Sequence, residues 1–305
     1  MKYSTFLTAR HWLHLPHLLA LVLSLVAVQT VSATEYRGLI YEAEKDGQTV
    51  FLLGSVHLAD DSFYPMPKTI EAAYRSSGAL VVEADILASA KDPELQQQIM
   101  AASTYPPGET LRDHIPEKTF SALESWLQQR QIPIAVFLRM RPAIASITLS
   151  MVEMQRIGLN PNLGIDRYFL QQAHSSGKQI LQLESVVQQL QMLNNLEHPE
   201  RLLEQTLEQL SELENFVPRM TDAWKSGNAE QLYQLVISEG LQEHPEFSGL
   251  YDKLFFQRNR EMAQKILQLS QSHSSLFVVV GAGHLVGTRS IIDLLQKEGF
   301  RIKQL

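Results

Sequence analysis

The chain of 305 residues contains no cysteine. Disulfides, thiolate metal ligands and a cysteine nucleophile are therefore excluded together, as is a lipid anchor on a cysteine. Basic charge is in short supply as well. With 26 Lys and Arg against 33 Asp and Glu the formal charge is −7, which leaves no electrostatic footprint for nucleic acid. No apolar run approaches the roughly 20 residues of a transmembrane helix. The one from Leu18 to Val28 covers 11 residues and is broken by Ser24. Familiar catalytic signatures are missing too: the chain has no His-Glu-x-x-His, Gly-x-Ser-x-Gly, P-loop or Gly-x-Gly-x-x-Gly. The first of these absences rules out a zincin.

What is present is the composition of an ordinary globular protein, 45% hydrophobic and 19% charged. The first residues read as an export signal. Lys2 and Arg10 supply a positive start, Leu18 to Val28 the apolar segment, and Val31-Ser32-Ala33 the small residues of a cleavage site. Residues 1–33 are thus expected to be a signal peptide cleaved after Ala33, the alternative being an uncleaved anchor. A secreted, periplasmic protein with no stable membrane span after cleavage is expected. Residues 34–305 are expected to form a single domain.

Two stretches organise that domain. Val50-Phe51-Leu52-Leu53-Gly54-Ser55-Val56-His57-Leu58 and Val278-Val279-Val280-Gly281-Ala282-Gly283-His284-Leu285 each run from an apolar strand into Gly-x-x-His-Leu. Short β-branched runs read as strands buried on both faces. The residue just past such a strand's carboxyl end is where open α/β sheets place ligands. The two turns are therefore expected to face each other across one site, as a duplicated strand–GxxH–helix unit.

Around them, Lys45-Asp46-Gly47 reads as the turn of a hairpin spanning residues 36–53. A helix over 68–77 leads to a strand, Ala79-Leu80-Val81-Val82, which delivers Glu83-Ala84-Asp85. Residues 93–131 read as helical with an interruption at Pro106-Pro107-Gly108. Helices over 142–157 and 164–175 and a strand over 179–183 follow. Residues 185–271 are helical in pattern, a layer or cap over the sheet, and include an amphipathic helix over 251–267. The chain closes with a strand at 276–280, a helix at 288–297 and a strand at 300–303. The fold class is α/β (α+β): a mixed central sheet flanked by helices with a helical insertion.

Seven histidines follow the signal: His57, His114, His174, His198, His244, His273 and His284. Five lie among polar residues and read as surface. His57 and His284 follow buried strands, where an unpaired ring costs about 1–3 kcal/mol and so needs a partner. A metal ion is one such partner and a structural hydrogen bond the other. Glu83 ends an apolar strand, where a carboxylate needs pairing or coordination. Asp85 is expected on the same side of that strand by the two-residue period. Two His and a carboxylate suffice for a catalytic metal site with an open position. Ser55 reads as a small turn residue. Arg258 is either on a solvated face, ion-paired with Glu261, or set to stabilise developing negative charge on a carbonyl oxygen.

These residues resemble the TraB/PrgY/GumN family, whose animal relatives are the Tiki membrane metalloproteases. The resemblance rests on Gly54-Ser55-Val56-His57, Glu83, Gly164-Ile165-Asp166, Leu183-Glu184 with Gln188 or Gln189, Arg258-Asn259 and Val280 to Gly287. It implies a divalent-metal-dependent hydrolase with His57 and His284 as the paired motif histidines and Glu83 as the acid. It also implies a distant fold relation to haem-binding ChaN-like proteins and erythromycin-esterase-like enzymes. The expected activity is peptide-bond hydrolysis on a peptide or protein substrate. His57, His284 and Glu83 would hold Zn, Mn, Co or Fe, with Glu83 as ligand or general base and Arg258 at the oxyanion. The alternatives are a non-catalytic periplasmic protein that binds haem, metal or peptide, and an accessory factor in surface-polysaccharide export.

Overall fold

The Asp46-Gly47 pair makes the first turn of the fold. Lys45 pairs with Gln48 across it, and the two residues between have φ of 49° and 80°, the positive values a tight primed turn needs. The strands it joins are β1 (Ile40–Lys45) and β2 (Gln48–Ser55). The computed structural model describes residues 36–305, and the expected signal segment lies outside the described residues.

In chain order, α1 (Lys68–Ser76) and β3 (Ala79–Val82) come next. The short α2 (Ile86–Ser89) precedes α3 (Pro93–Ser103) and α4 (Glu117–Gln129). The interruption between these last two holds a 3₁₀ turn, Leu111–His114. Then follow α5 (Pro142–Arg156), α6 (Ile165–Ser176) and β4 (Gln179–Gln182). The helical stretch consists of α7 (Val186–Asn194), α8 (Pro199–Gln209), α9 (Leu213–Ser226), α10 (Ala229–Tyr233), α11 (Glu239–Glu243), α12 (Ser248–Tyr251) and α13 (Arg258–Ser272). Two π-helical turns interrupt it, Gln234–Ser238 and Asp252–Gln257. The chain ends with β5 (Ser275–Gly281), α14 (Ile291–Lys297) and β6 (Arg301–Gln304). The last helix starts three residues later than its sequence pattern suggests. Arg289 takes φ 62°, and the Ser290 side chain caps the helix by accepting from the Asp293 N–H.

The sheet has the order β4-β3-β5-β2-β1-β6. β4, β3, β5 and β2 run parallel, while β1 and β6 are antiparallel. It is thus the mixed sheet expected. Val278, Val279 and Val280 on β5 are buried on both faces, as are Leu52 and Leu53 on β2. Ile70 of α1, Phe169 of α6, Trp224 of α9, Ile266 of α13 and Leu295 of α14 complete that core. The fully buried Trp224 donates its indole N–H to the Gly54 carbonyl at 2.7 Å, tying α9 to the end of β2.

The helical layer also takes in α4 and α5, ahead of the stretch over 185–271, and around them it has a core of its own. Leu123 and Leu127 of α4, Phe137, Leu149 of α5 and Leu203 of α8 are buried together. Glu153 on α5 is buried beside them, held by Arg130 and Arg156 at 2.9 and 2.8 Å. No helix among the described residues is long and apolar enough to cross a membrane.

Candidate active site

The strand order brings the paired motifs together. β2 and β5 lie side by side and parallel, with Ser55 opposite Gly281. The turn carrying His57 and the turn carrying His284 therefore leave the same edge of the sheet. β3 lies on the other side of β5 and delivers Glu83 to that edge as well. Three adjacent parallel strands thus present His57, His284 and Glu83 at their carboxyl ends, where open α/β sheets bind ligands.

Glu83 is held on every side. Its Oε1 accepts the Gly281 N–H at 2.7 Å, and its Oε2 accepts from Arg258 Nη2 at 2.6 Å and Gln189 Nε2 at 3.1 Å. Glu184 stands beside it because the β3–β4 pairing continues past the strands, with the Glu184 N–H donating to the Glu83 carbonyl at 2.8 Å. Two carboxylates so close need a shared cation, and Arg258 supplies it. Its Nε and Nη2 donate to Glu184 at 2.9 and 2.8 Å, and its Nη1 donates to the Leu254 carbonyl at 3.1 Å. Arg258 thus pairs with Glu83 and Glu184 rather than with Glu261, and all three of its nitrogens are engaged. Burial pushes the Glu83 carboxyl up, but His284, Arg258, His57 and the Gly281 N–H outweigh it and hold the group down at about 2.

His284 is buried, and its tautomer follows from its neighbours. Asn259 Nδ2 donates to the Arg289 carbonyl at 2.9 Å, which turns Asn259 Oδ1 toward the ring. His284 Nδ1 lies 2.6 Å from that oxygen and so carries the proton. Burial drives the ring down to about 4, against the opposing pull of Glu83. At neutral pH, then, Nε2 bears a lone pair, and it faces Glu83 Oε1 at 3.9 Å. Two acceptors facing each other at this distance suit a cation between them. A ring oriented through its other nitrogen is how metal-ligating histidines are held.

His57 is placed differently. Its Nδ1 lies 3.3 Å from Asp166 Oδ1, and its side chain is 66% exposed to the open cleft. Asp166 reaches it because the start of α6 docks on the turn: the Ile165 N–H donates to the Val56 carbonyl at 3.0 Å. Gly164 is needed there, since a Cβ at that position would run into the His57 carbonyl. The Asp166 pairing raises His57 above the ordinary histidine range. Water in the cleft screens that pairing.

Among the described residues, no three His, Asp or Glu side chains are grouped as a metal site. His284 Nε2 and Glu83 Oε1, a nitrogen and a carboxylate oxygen, fit a borderline divalent ion, whereas His57 turns to Asp166. Asp85 does not join Glu83. It caps α2 by accepting from the Leu87 and Ala88 N–H groups and pairs with His174 at 2.9 Å. The strand has ended before it, so the two-residue period no longer applies. Asp166, Glu184, Gln189 and Asn259 belong to motifs legible in the sequence, but apart from the Gln189–Glu184 contact five residues apart their partners lie 25 or more residues away.

The family model described as TraB/PrgY/gumN matches residues 39–304. YbaP of Escherichia coli (strain K12) is 26% identical over 248 residues, 80% of this chain and 87% of that protein. Metalloprotease TIKI2 of Danio rerio is 22% identical over 302 residues, covering 83% of this chain and 58% of the relative. Metalloprotease TIKI1 of Homo sapiens is 21% identical over 322 residues, covering 88% of this chain and 62% of the relative. The chain therefore spans under two thirds of the length of these two TIKI proteins. No solved structure matches. With nearly all of the described residues inside the family match, the chain belongs to the TraB/PrgY/gumN family.

Proposed function

We propose that this chain is a metal-dependent hydrolase of peptide bonds, and on the sequence of residues 1–33 we place its work in the periplasm. The observation that carries the reading is the facing pair of acceptors, His284 Nε2 and Glu83 Oε1 at 3.9 Å. The distant relatives named as metalloproteases support the same chemistry. His284 and Glu83 would hold the ion, and a bound divalent ion supplies a Lewis acid and lowers the pKa of water toward about 7.

The chain's own residues divide the remaining work. Glu83 is engaged by Arg258, Gln189 and the Gly281 N–H, so its part is to hold charge in place. Arg258 spends its donors on Glu83, Glu184 and Leu254, which makes it a positioning residue for Glu83 rather than an oxyanion donor. His57, open to the cleft and backed by Asp166, holds the mobile proton, an acid–base arrangement oriented by a carboxylate.

The test is a peptide-library cleavage assay on chelator-stripped protein, with Zn, Mn, Co and Fe returned singly. Cleavage should return with at least one ion. Glu83→Gln should lower metal affinity and turnover together. His57→Ala should keep the ion and lose roughly 10²–10⁴-fold in turnover; loss of the ion instead would make His57 the third ligand. Cleavage that survives stripping, or that Glu83→Gln leaves untouched, refutes the reading.

A further inference from the structure

The carboxyl edge of the sheet opens into a cleft of about 620 Å³, within the roughly 300–1,000 Å³ of pockets that enclose small ligands. Its floor is Ser55, Val82 and Val279 at the ends of β2, β3 and β5, with Glu83 and His57 beside them. Its walls come from the helical layer and are mainly apolar: Ile147, Met151 and Met154 of α5, Leu202 of α8 and Leu254. Three hydroxyls interrupt these walls. Ser146, Ser150 and Thr206 each donate to the carbonyl four residues back on their own helix. Their protons are spent, so what each still offers the cleft is an acceptor.

Arg167 of α6 also lines this cleft. Its Nε is shut off from solvent with no hydrogen-bond partner, and among the described residues no acid pairs with it. The other arginine at the site, Arg258, is committed to Glu83 and Glu184. The neighbouring Asp166 faces His57. A guanidinium left without a counter-ion at the side of an apolar cleft is a strong site for a planar carboxylate.

We propose that the cleft takes an apolar peptide by its free C-terminal carboxylate, with Arg167 as the anchor. This rests on the peptidase reading above and narrows its substrate. The wall hydroxyls, acceptors only, match the N–H groups of a peptide backbone, which an acyl chain lacks. Arg167 and Glu83 line the same small cleft, so the bond presented lies within a few residues of the C-terminus.

The test is fluorescence anisotropy on the full chain with a dansyl-labelled apolar pentapeptide, as free acid and as C-terminal amide, with dodecanoate as competitor. The acid should bind about 10- to 100-fold tighter than the amide, the scale of hydrogen bonds to a charged group. Arg167→Met should weaken the acid alone and erase the difference, and Arg167→Lys should restore part of it. Equal binding of acid and amide overturns the proposal. So does an equal loss for both in Arg167→Met, which would mark a packing role, or displacement by dodecanoate at concentrations below the peptide's Kd. Discrimination without hydrolysis under any metal would sink the peptidase reading and leave the anchor standing. Hydrolysis indifferent to amidation would do the reverse.

Discussion

Replacing Arg258 by methionine tests the site's electrostatics without relying on activity. The guanidinium is largely buried, with 15% of its side chain exposed, and it bridges Glu83 and Glu184, which are 13% and 10% exposed. Methionine keeps much of the volume, so the cavity cost is small. What remains is two buried carboxylates side by side with only Gln189 between them. Removing one partner of a buried ion pair costs about 3–5 kcal/mol, and that is the loss expected at pH 7. The pH dependence separates charge from packing. In the native protein the Glu83 pKa is depressed from 4.5 to about 2, so its contribution is present above 4.5 and lost as pH falls toward 2. In Arg258→Met that depression shrinks, and Glu83 takes up its proton at higher pH. The difference in unfolding free energy between the two proteins should therefore hold steady above about pH 4.5 and narrow as pH falls from there toward 2, measured by urea denaturation at each pH. Arg258→Lys should fall between them, because an ammonium keeps the charge but not the fork. A cost below about 1 kcal/mol, or a gap that does not move with pH, would refute the pairing as the cause.

Three further outcomes are expected. Asp166→Asn should lower the His57 pKa toward its ordinary value, read by NMR titration of the imidazole, since the Asp166 pairing is the main cause of its rise; an unmoved titration would show that the pair does not form in solution. Because the rise stabilises the folded state below about pH 6.5 and is lost as pH climbs through the raised value, Asp166→Asn should cost most stability in mildly acidic buffer. Asn259→Ala, which removes the acceptor that orients His284, should weaken metal affinity by about 10–100-fold in a metal-ion titration, while Asn259→Asp should retain more of it. Glu153→Gln should destabilise by about 3–5 kcal/mol in thermal or urea unfolding, because it removes the buried charge that both Arg130 and Arg156 engage, and a near-neutral result would show that the helical layer's core does not depend on that pair.

Local chemistry alone settled much of this fold. The apolar runs before Gly54 and Gly281 are short and end in glycine, which reads as buried strand rather than helix, and Asp46-Gly47 reads as a tight turn. Glu83 stood out because a carboxylate ending Ala79-Leu80-Val81-Val82 demanded a partner. Pairing was decided by the order of strands. With β5 between β3 and β2, Gly281 donates to Glu83 from 198 positions away, and no local pattern encodes that reach. The same holds for Arg258, whose helical periodicity was equally compatible with Glu261. Only the continuation of β3–β4 pairing past the strands set Glu184 beside Glu83 and required a cation for both. His57 and His284 read alike in sequence and differ in the fold, because α6 docks on one turn with Asp166 and α13 on the other with Asn259. A sequence states which side chains need partners; the packing of helices on the sheet's carboxyl edge decides which partners they meet.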